Sequence, residues 1–196
     1  LRQLVEAELV YQDGVGPTAQ YTFKHALIQE AAYQSVLKST RHHYHQRIAQ
    51  VLEDRFPETV ETQPELLAAH YTAAGLHAPA VAYWQRAGAR TAGRSAHREA
   101  IGHFHKALEV LTLLPDTSAR AQQELALQRA LGASLVATRG FAAPEVEHAY
   151  SRARALCRRL GDTREIGPVL CGLWGFYYVR GDLQSARVLA EHLLTL

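Results

Sequence analysis

From Ser39 onward the sequence is a continuous succession of helical patterns, and this feature constrains the fold more than any other. Apolar residues recur three and four positions apart, which is the spacing of one helix face. Short breaks separate the patterns, at Pro57, Pro64, Gly75, Gly93, Pro115, Gly140, Gly161 and Gly181. Ser95 is predicted to cap the helix that follows Gly93. Because short links place consecutive helices antiparallel, we predict about eight or nine helices packed on their sequence neighbours.

The first part of the chain carries a different pattern. Residues 1–7 predict the end of a helix, and residues 9–11 and 21–23 predict two short strands. Between the strands, residues 13–17 are dense in turn formers. A helical pattern begins again at Ala26. A helix end, a β-hairpin and a helix in this order are typical of the back half of a winged-helix domain.

The composition is that of an ordinary folded domain, with 47% apolar and 20% charged residues. No apolar run approaches the roughly 20 residues that cross a bilayer, and no signal peptide precedes the first helix. Cys157 and Cys171 form no CxxC pair, which fits a reducing compartment. We therefore expect a cytoplasmic protein. The net charge of +2 is too small to require a nucleic-acid partner.

The two ends of the sequence predict that it belongs to a larger protein. The chain contains no Met, even at its first position. Its last residues, 193–196, lie within an apolar helical pattern that no capping residue closes. An apolar helix end of this kind would be open, and open ends of helical arrays tend to pair. We expect dimerisation through a leucine surface made of Leu189, Leu193, Leu194 and Leu196.

Small residues and aromatics recur in the order of tetratricopeptide repeats, which are helix pairs of about 34 residues. The clearest matches are Ala68, Tyr71, Gly75, Ala80, Trp84 and Ala87, and later Leu173, Tyr177, Gly181 and Ala186. Partial matches are Ala100, Phe104 and Ala107, then Ala149 and Ala153. Trp174 departs from the pattern, because the family has a small residue there. The pattern favours an all-α, tetratricopeptide-like right-handed solenoid after a short N-terminal β-hairpin. A plain helical bundle is the alternative.

The domain prediction follows from these two patterns. Residues 1–56 are interpreted as a winged-helix remnant with its linking helices. Residues 57–196 are interpreted as the tetratricopeptide-like helical repeats, which stop before the last repeat is complete.

The stretch YTFKHALIQEAAY, residues 21–33, resembles a junction in bacterial signalling ATPases of the STAND class. There the ATPase domain ends in a winged helix and passes into helical repeats. Further blocks resemble a subgroup that begins with a class III adenylate or guanylate cyclase domain: residues 64–71, 83–88, 94–96, 113–117 and 172–174. The resemblance implies that this chain is a regulatory sensor module, whose catalytic partners lie upstream.

A second reading of the same resemblance is the equivalent sensor region of a STAND-type DNA-binding transcriptional regulator. In that case a helix-turn-helix domain outside this chain would bind DNA. The hairpin here carries Asp13 and no basic residue before Lys24, so we do not expect it to bind nucleic acid itself.

No pattern in the sequence predicts a catalytic, cofactor or metal site. The phosphate-binding motif GxxxxGK[ST] is absent. The histidine clusters at 42–45 and 103–105 lack a Cys or carboxylate at zinc-ligand spacing. We therefore expect a chain that is not itself an enzyme, although its parent protein would be an ATPase or a nucleotide cyclase.

Two groups of residues are candidates for an interaction surface. Arg86, Arg90 and Arg94, followed by Arg98, recur every four residues and could meet an acidic partner, although a solvated face partly paired with Glu99 is the favoured explanation. Tyr177 and Tyr178 belong to an aromatic run too dense to point inward entirely, so one or both could line a groove. The same two interpretations apply to a second arginine run: Arg152, Arg154, Arg158 and Arg159. The expected partner is another protein or the parent's own ATPase domain, with a small-molecule effector as a further option.

Overall fold

The computed structural model describes residues 2–16, 19–161 and 164–196. Within these ranges it contains eleven helices and one two-stranded antiparallel sheet, with 76% of the residues helical. The prediction of a helical chain with a short N-terminal hairpin is therefore confirmed. None of the helices in these ranges is long and apolar enough to cross a membrane. The chain divides into two compact units, Leu1–Tyr44 and His45–Leu196.

The first unit is built around the hairpin. Its elements are α1 (Arg2–Glu6), β1 (Val10–Asp13), β2 (Gln20–Phe23) and α2 (Ala26–Ser35). Val10 pairs with Phe23 and Asp13 with Gln20 in the antiparallel register. Val10 is the buried residue of the pair of strands, whose other side chains are exposed or half-buried. Leu1 of the predicted helix and Pro17 of the predicted turn lie outside the described residues.

Helix α3 (Lys38–Arg55) begins within the first unit, and the elements after it belong to the second. They are α4 (Pro57–Thr62), α5 (Pro64–Ala73), α6 (His77–Gly93), α7 (His97–Leu111), α8 (Ser118–Arg139), α9 (Pro144–Leu160), α10 (Ile166–Val179) and α11 (Leu183–Leu193). The predicted domain boundary after residue 56 falls between α3 and α4. Prolines open α4, α5 and α9 at the first turn, where a missing N–H is harmless.

Every helix from α5 to α11 packs mainly against the helices before and after it in the sequence. These contacts bury a continuous apolar core. Its largest fully buried side chains include Leu67, Val81, Phe104, Leu127, Leu156 and Leu170. Burial of such side chains supplies most of the stability that short helices lack on their own.

Similar residues recur in α5, α6 and α7 at a constant offset of twenty positions along the chain. The matched pairs are Ala68 and Gly88, Tyr71 and Thr91, Gly75 and Ser95, Ala80 and Ala100, Trp84 and Phe104, and Ala87 and Ala107. The turns match as well, because Leu76 N–H donates to the Tyr71 carbonyl and Ala96 N–H to the Thr91 carbonyl. The turn before α11 has the same bond, from Asp182 N–H to the Tyr177 carbonyl.

The prediction that Ser95 caps α7 was wrong. Ser95 has φ of 62°, a left-handed conformation, and its side chain makes no capping bond. Its backbone instead takes the place that Gly75 occupies in the preceding turn, where φ is 73°. The serine therefore ends one helix rather than starting the next.

Glycines allow the closest approaches between helices. A Cβ at Gly88 would lie 2.4 Å from the Phe104 ring, and one at Gly172 would lie 2.5 Å from the Tyr150 ring. Gly132 lies against the same Tyr150 ring. Tyr150 on α9 is thus packed between glycines of α8 and α10, so no larger residue fits at either position.

Candidate interaction surface

The carboxylate of Glu53 on α3 accepts hydrogen bonds from side chains of both α5 and α6. The Tyr71 hydroxyl donates to Glu53 Oε2 at 2.5 Å, and the Tyr83 hydroxyl donates to Glu53 Oε1 at 2.6 Å. The two rings are stacked, with centroids 5.7 Å apart. Burial and then the bond to Glu53 raise the pKa of Tyr83 to about 12, and the same causes raise the pKa of Tyr71. Both phenols therefore remain protonated donors at neutral pH.

A groove runs between α5 and α7, with α6 as its floor. One end is a largely apolar cavity of about 420 Å³. It is lined by Ala69, Thr72, Ala73, Trp84, Lys106, Glu109, Val110 and Leu113. Trp84 Nε1 donates to Thr72 Oγ1 at 3.1 Å, and Lys106 Nζ lies 4.5 Å from the centre of the indole ring. The indole is thereby fixed, with its polar edge satisfied and its face against a cation.

The other end of the groove is polar. A cavity of about 400 Å³ is lined there by Glu65, Arg90, Thr91, Arg94, Ala96, Glu99 and His103. The His103 ring stacks on Trp84 with centroids 5.5 Å apart, so the two cavities adjoin at this pair. Burial lowers the pKa of His103, an effect that the carboxylate of Glu65 opposes. We call the residues lining both cavities the α5–α7 groove.

Glu65 is the unusual group of this groove. Its Oε2 atom is buried and has no hydrogen-bond partner within the described part of the chain. A buried acceptor without a donor costs about 1–3 kcal/mol. A donor that reached Glu65 from outside would therefore be favoured.

The structure separates the predicted arginines. Arg90 and Arg94 line the polar end of the groove together with the carboxylates of Glu65 and Glu99. Arg86 is exposed and lies near the Tyr83 phenol, outside that cavity. None of the three makes an ion pair within 4.0 Å to another described residue.

The predicted tyrosines also take different roles. The Tyr177 hydroxyl donates to Glu147 Oε1 at 2.7 Å and so links α10 to α9. This bond and burial raise the pKa of Tyr177. Tyr178 is 56% exposed and stacks on the half-exposed Trp174, with ring centroids 5.1 Å apart. The two tyrosines face different surroundings, and neither lines the α5–α7 groove.

Sequence reasoning missed most of this groove. Trp84 was interpreted as a repeat position, and Glu65, His103 and Lys106 were not selected as an interaction surface. A pattern in the sequence does connect part of the groove, because Glu99, His103, Lys106 and Val110 recur at helical spacing on α7 and Leu113 continues that spacing just after the helix. Such a stripe mixes charged and apolar residues, which is common on solvated helices. Only the placement of α5 beside it makes it one wall of a groove.

The histidine and leucine predictions can also be placed. His45 Nδ1 lies 2.8 Å from His70 Nδ1 on α5, so it packs against another helix. Within the described ranges no three potential ligands from His, Cys, Asp and Glu are grouped to hold a metal ion.

Leu189 is packed in the core, whereas Leu194 and Leu196 are exposed. The expected leucine surface was therefore wrong in including Leu189, because that side chain already contacts its own core.

Comparison with known proteins identifies one distant relative. No model of a known protein family matches the chain. The chain is 29% identical over 161 residues to an uncharacterized protein of Rhizobium meliloti (strain 1021). The match covers 81% of this chain and 16% of the relative, so most of that protein lies outside the match. The relative carries no assigned activity, and function is therefore argued from the surfaces described above.

Proposed function

We propose that this chain is a non-catalytic protein-interaction and regulatory module, in which residues 57–196 form a tetratricopeptide-like solenoid. The offset of twenty residues between matched positions in successive helices α5, α6 and α7 is the observation that carries the proposal of a repeating helical array. The tetratricopeptide-like assignment rests on the order of small and aromatic residues within those helices. In a solenoid each repeat contacts only its neighbours, and grooves between alternate helices remain open to partners. The contacts between sequence neighbours from α5 to α11 agree with this arrangement.

The α5–α7 groove is the proposed docking surface. Its apolar end suits an aliphatic side chain, because Ala69, Ala73, Val110 and Leu113 contribute to its lining. Its polar end contains both kinds of group, because Glu65 has an oxygen without a donor while Arg90 and Arg94 are cations without an ion pair to a described carboxylate. A partner segment that presents an aliphatic residue and a nearby side chain or backbone group able to donate and to accept would satisfy both ends.

The parent protein is proposed to be a cytoplasmic STAND-type signalling ATPase, coupled in one subgroup to a nucleotide cyclase. The resemblance of residues 21–33 to the winged-helix junction supports this assignment. The partner would then be another protein or the parent's own ATPase domain, and binding in the groove would bias that domain's state. The alternative is the equivalent region of a STAND-type DNA-binding regulator.

A pair of matched variants tests the groove. Leu113 lies in the groove and is 61% exposed, while Leu183 lies at the start of α11 and is 63% exposed. Because both side chains are exposed, Leu113→Asp and Leu183→Asp should both fold, as checked by circular dichroism. Each variant and the wild type would serve as bait in lysate of the source organism, with captured proteins identified by mass spectrometry.

The expected result is capture of one defined protein by the wild type and by Leu183→Asp, with at least tenfold less capture by Leu113→Asp. An ATPase domain among the captured proteins would support the signalling assignment. Equal capture by all three baits would reject the groove as the docking surface. Capture of DNA-bound regulators would instead favour the alternative parent.

A further inference from the structure

The four arginines in the second half of α9 have different environments. Arg152 pairs with Glu124 through two bonds, Nε to Oε1 at 2.6 Å and Nη2 to Oε2 at 2.9 Å. Arg159 Nη2 donates to Asp116 Oδ1 at 2.8 Å. Arg154 and Arg158 make no ion pair with another described residue. Arg152 and Arg159 therefore connect α9 to other parts of the chain, whereas the charges of Arg154 and Arg158 are available for a ligand.

Arg154 is held in a position where that charge is poorly satisfied. Its Nε atom is buried and has no hydrogen-bond partner within the described residues. Burial, followed by repulsion from Arg158, lowers the pKa of its guanidinium. Arginine nevertheless stays protonated in proteins, so the side chain remains a cation with unused donors. An anion bound beside the guanidinium would offset the electrostatic cost of its burial and its repulsion from Arg158.

A cavity lies next to this guanidinium, between α9, α10 and α11. Its volume is about 220 Å³, and it is lined by Arg154, Tyr177, Gln184, Ser185, Val188 and Leu189. A space of this size admits a small molecule with a short chain.

The acidic groups nearby already have partners. Glu147 accepts the Tyr177 hydroxyl, and Asp182 accepts both the N–H and the hydroxyl of Ser185. Neither carboxylate forms an ion pair with Arg154. Gln184 and Ser185 belong to the first turn of α11, which the Asp182 carboxylate already caps through the N–H of Ser185. The positive charge that borders the cavity is therefore that of Arg154.

The shape of the lining selects among anions. A guanidinium is planar and matches the two oxygens of a carboxylate with parallel N–H donors. Val188 and Leu189 provide an apolar wall on the α11 side. Inorganic phosphate would leave this wall unused, whereas an aliphatic chain would bury part of it.

We propose that this cavity binds a small aliphatic carboxylate, whose carboxyl group pairs with Arg154 and whose chain lies against Val188 and Leu189. Arg158 adds longer-range attraction for the anion. The site shares no residue with the α5–α7 groove, so the proposal goes beyond the docking function and does not depend on it.

Isothermal titration calorimetry of the 196-residue chain with hexanoate tests this proposal. We expect saturable binding that Arg154→Gln weakens by at least about tenfold. Arg152→Gln is the matched control, since it removes one guanidinium from the same helix outside the cavity, and binding should change by less than about twofold. Circular dichroism checks that both variants fold.

A second variant covers the case in which Arg154→Gln fails to fold. Val188 is 53% exposed, so Val188→Glu should fold and place a carboxylate in the cavity, which should abolish hexanoate binding. Absence of saturable hexanoate binding to the wild type up to about 20 mM would overturn the proposal. Unchanged affinity in a folded Arg154→Gln variant, or in Val188→Glu, would also overturn it. Tighter binding of inorganic phosphate than of hexanoate would overturn the assignment to an aliphatic carboxylate.

Discussion

Replacing Gly88 with alanine tests the closest contact between α6 and α7. The new Cβ would lie 2.4, 2.6 and 2.8 Å from three ring carbons of Phe104. Separations under 3 Å cannot persist between carbon atoms, so the ring or a helix must move. Phe104 is 1% exposed and is enclosed by the core, which leaves its ring no free space to enter.

Two opposing effects set the change in the free energy of unfolding that Gly88→Ala causes. Overpacking of a close-packed core costs about 1–3 kcal/mol, and a clash with three atoms of a buried ring belongs at the upper end. Alanine gains about 1 kcal/mol over glycine in a helix interior. We therefore expect Gly88→Ala to lower the free energy of unfolding by about 2 kcal/mol. For a unit of this size the melting temperature would fall by about 4–8 °C.

Gly102 provides the matched control in the neighbouring helix. It lies inside α7, and a Cβ there would meet nothing within 4 Å. Gly102→Ala should therefore gain helix stability without a clash, by about 0.5–1 kcal/mol. The same chemical change thus has opposite signs at two glycines, and the difference comes only from the contact with Phe104.

Urea unfolding followed by far-ultraviolet circular dichroism measures both variants against the wild type. A double variant, Gly88→Ala with Phe104→Leu, should recover part of the loss, because the smaller side chain leaves room for the new methyl group. If Gly88→Ala proves as stable as Gly102→Ala, α6 and α7 do not approach each other in the way described, and the reasoning is refuted.

Three further predictions concern ionisable groups. The folded-state pKa of Tyr83 is raised to about 12 from about 10, so its contribution to stability is complete below about pH 10 and is lost as the pH rises through 12. Tyr83→Phe should therefore flatten this part of the pH–stability curve. An unchanged curve would contradict the bond to Glu53. Burial, and then the charge of His45, lowers the pKa of His70, so the stability from neutral His70 is present above about pH 6.5 and falls as the pH drops. His70→Gln should therefore reduce the acid sensitivity of the melting temperature. An unchanged acid sensitivity would contradict the contact between His70 and His45. Tyr177→Phe should lower the free energy of unfolding by about 1 kcal/mol through the lost bond to α9, and a change below about 0.3 kcal/mol would show that the bond contributes little.

The helices and the hairpin could be predicted because their determinants are local. Glycine and proline interrupt the helical period close to where the observed helices end, and the turn formers after Asp13 follow the end of β1. Ser95 shows the limit of this approach. Serine is a common helix cap, but the turn after α6 places Ser95 in the left-handed conformation that Gly75 has in the preceding turn.

The candidate surfaces could be predicted only in part. Arg90 and Arg94 were selected from their spacing, and both line the α5–α7 groove, but Arg86 has the same spacing and lies elsewhere. The spacing defines a face of α6 and says nothing of what lies opposite that face. Glu65 belongs to the same cavity although it comes much earlier in the chain, and no local pattern marks it.

The arginines of α9 show most clearly which properties a local sequence pattern predicts and which depend on the packing of the helices. The spacing of apolar residues predicts that α9 is a helix and that Arg152, Arg154 and Arg159 are cations on it. The packing of the helices brings Arg152 and Arg159 to carboxylates of other elements and leaves Arg154 beside a cavity, with its Nε atom unpartnered. The two properties differ in the distance along the chain over which they are set. Helix formation depends on residues within about one turn of each other, whereas a charge is satisfied or left unsatisfied by groups brought close from distant parts of the chain.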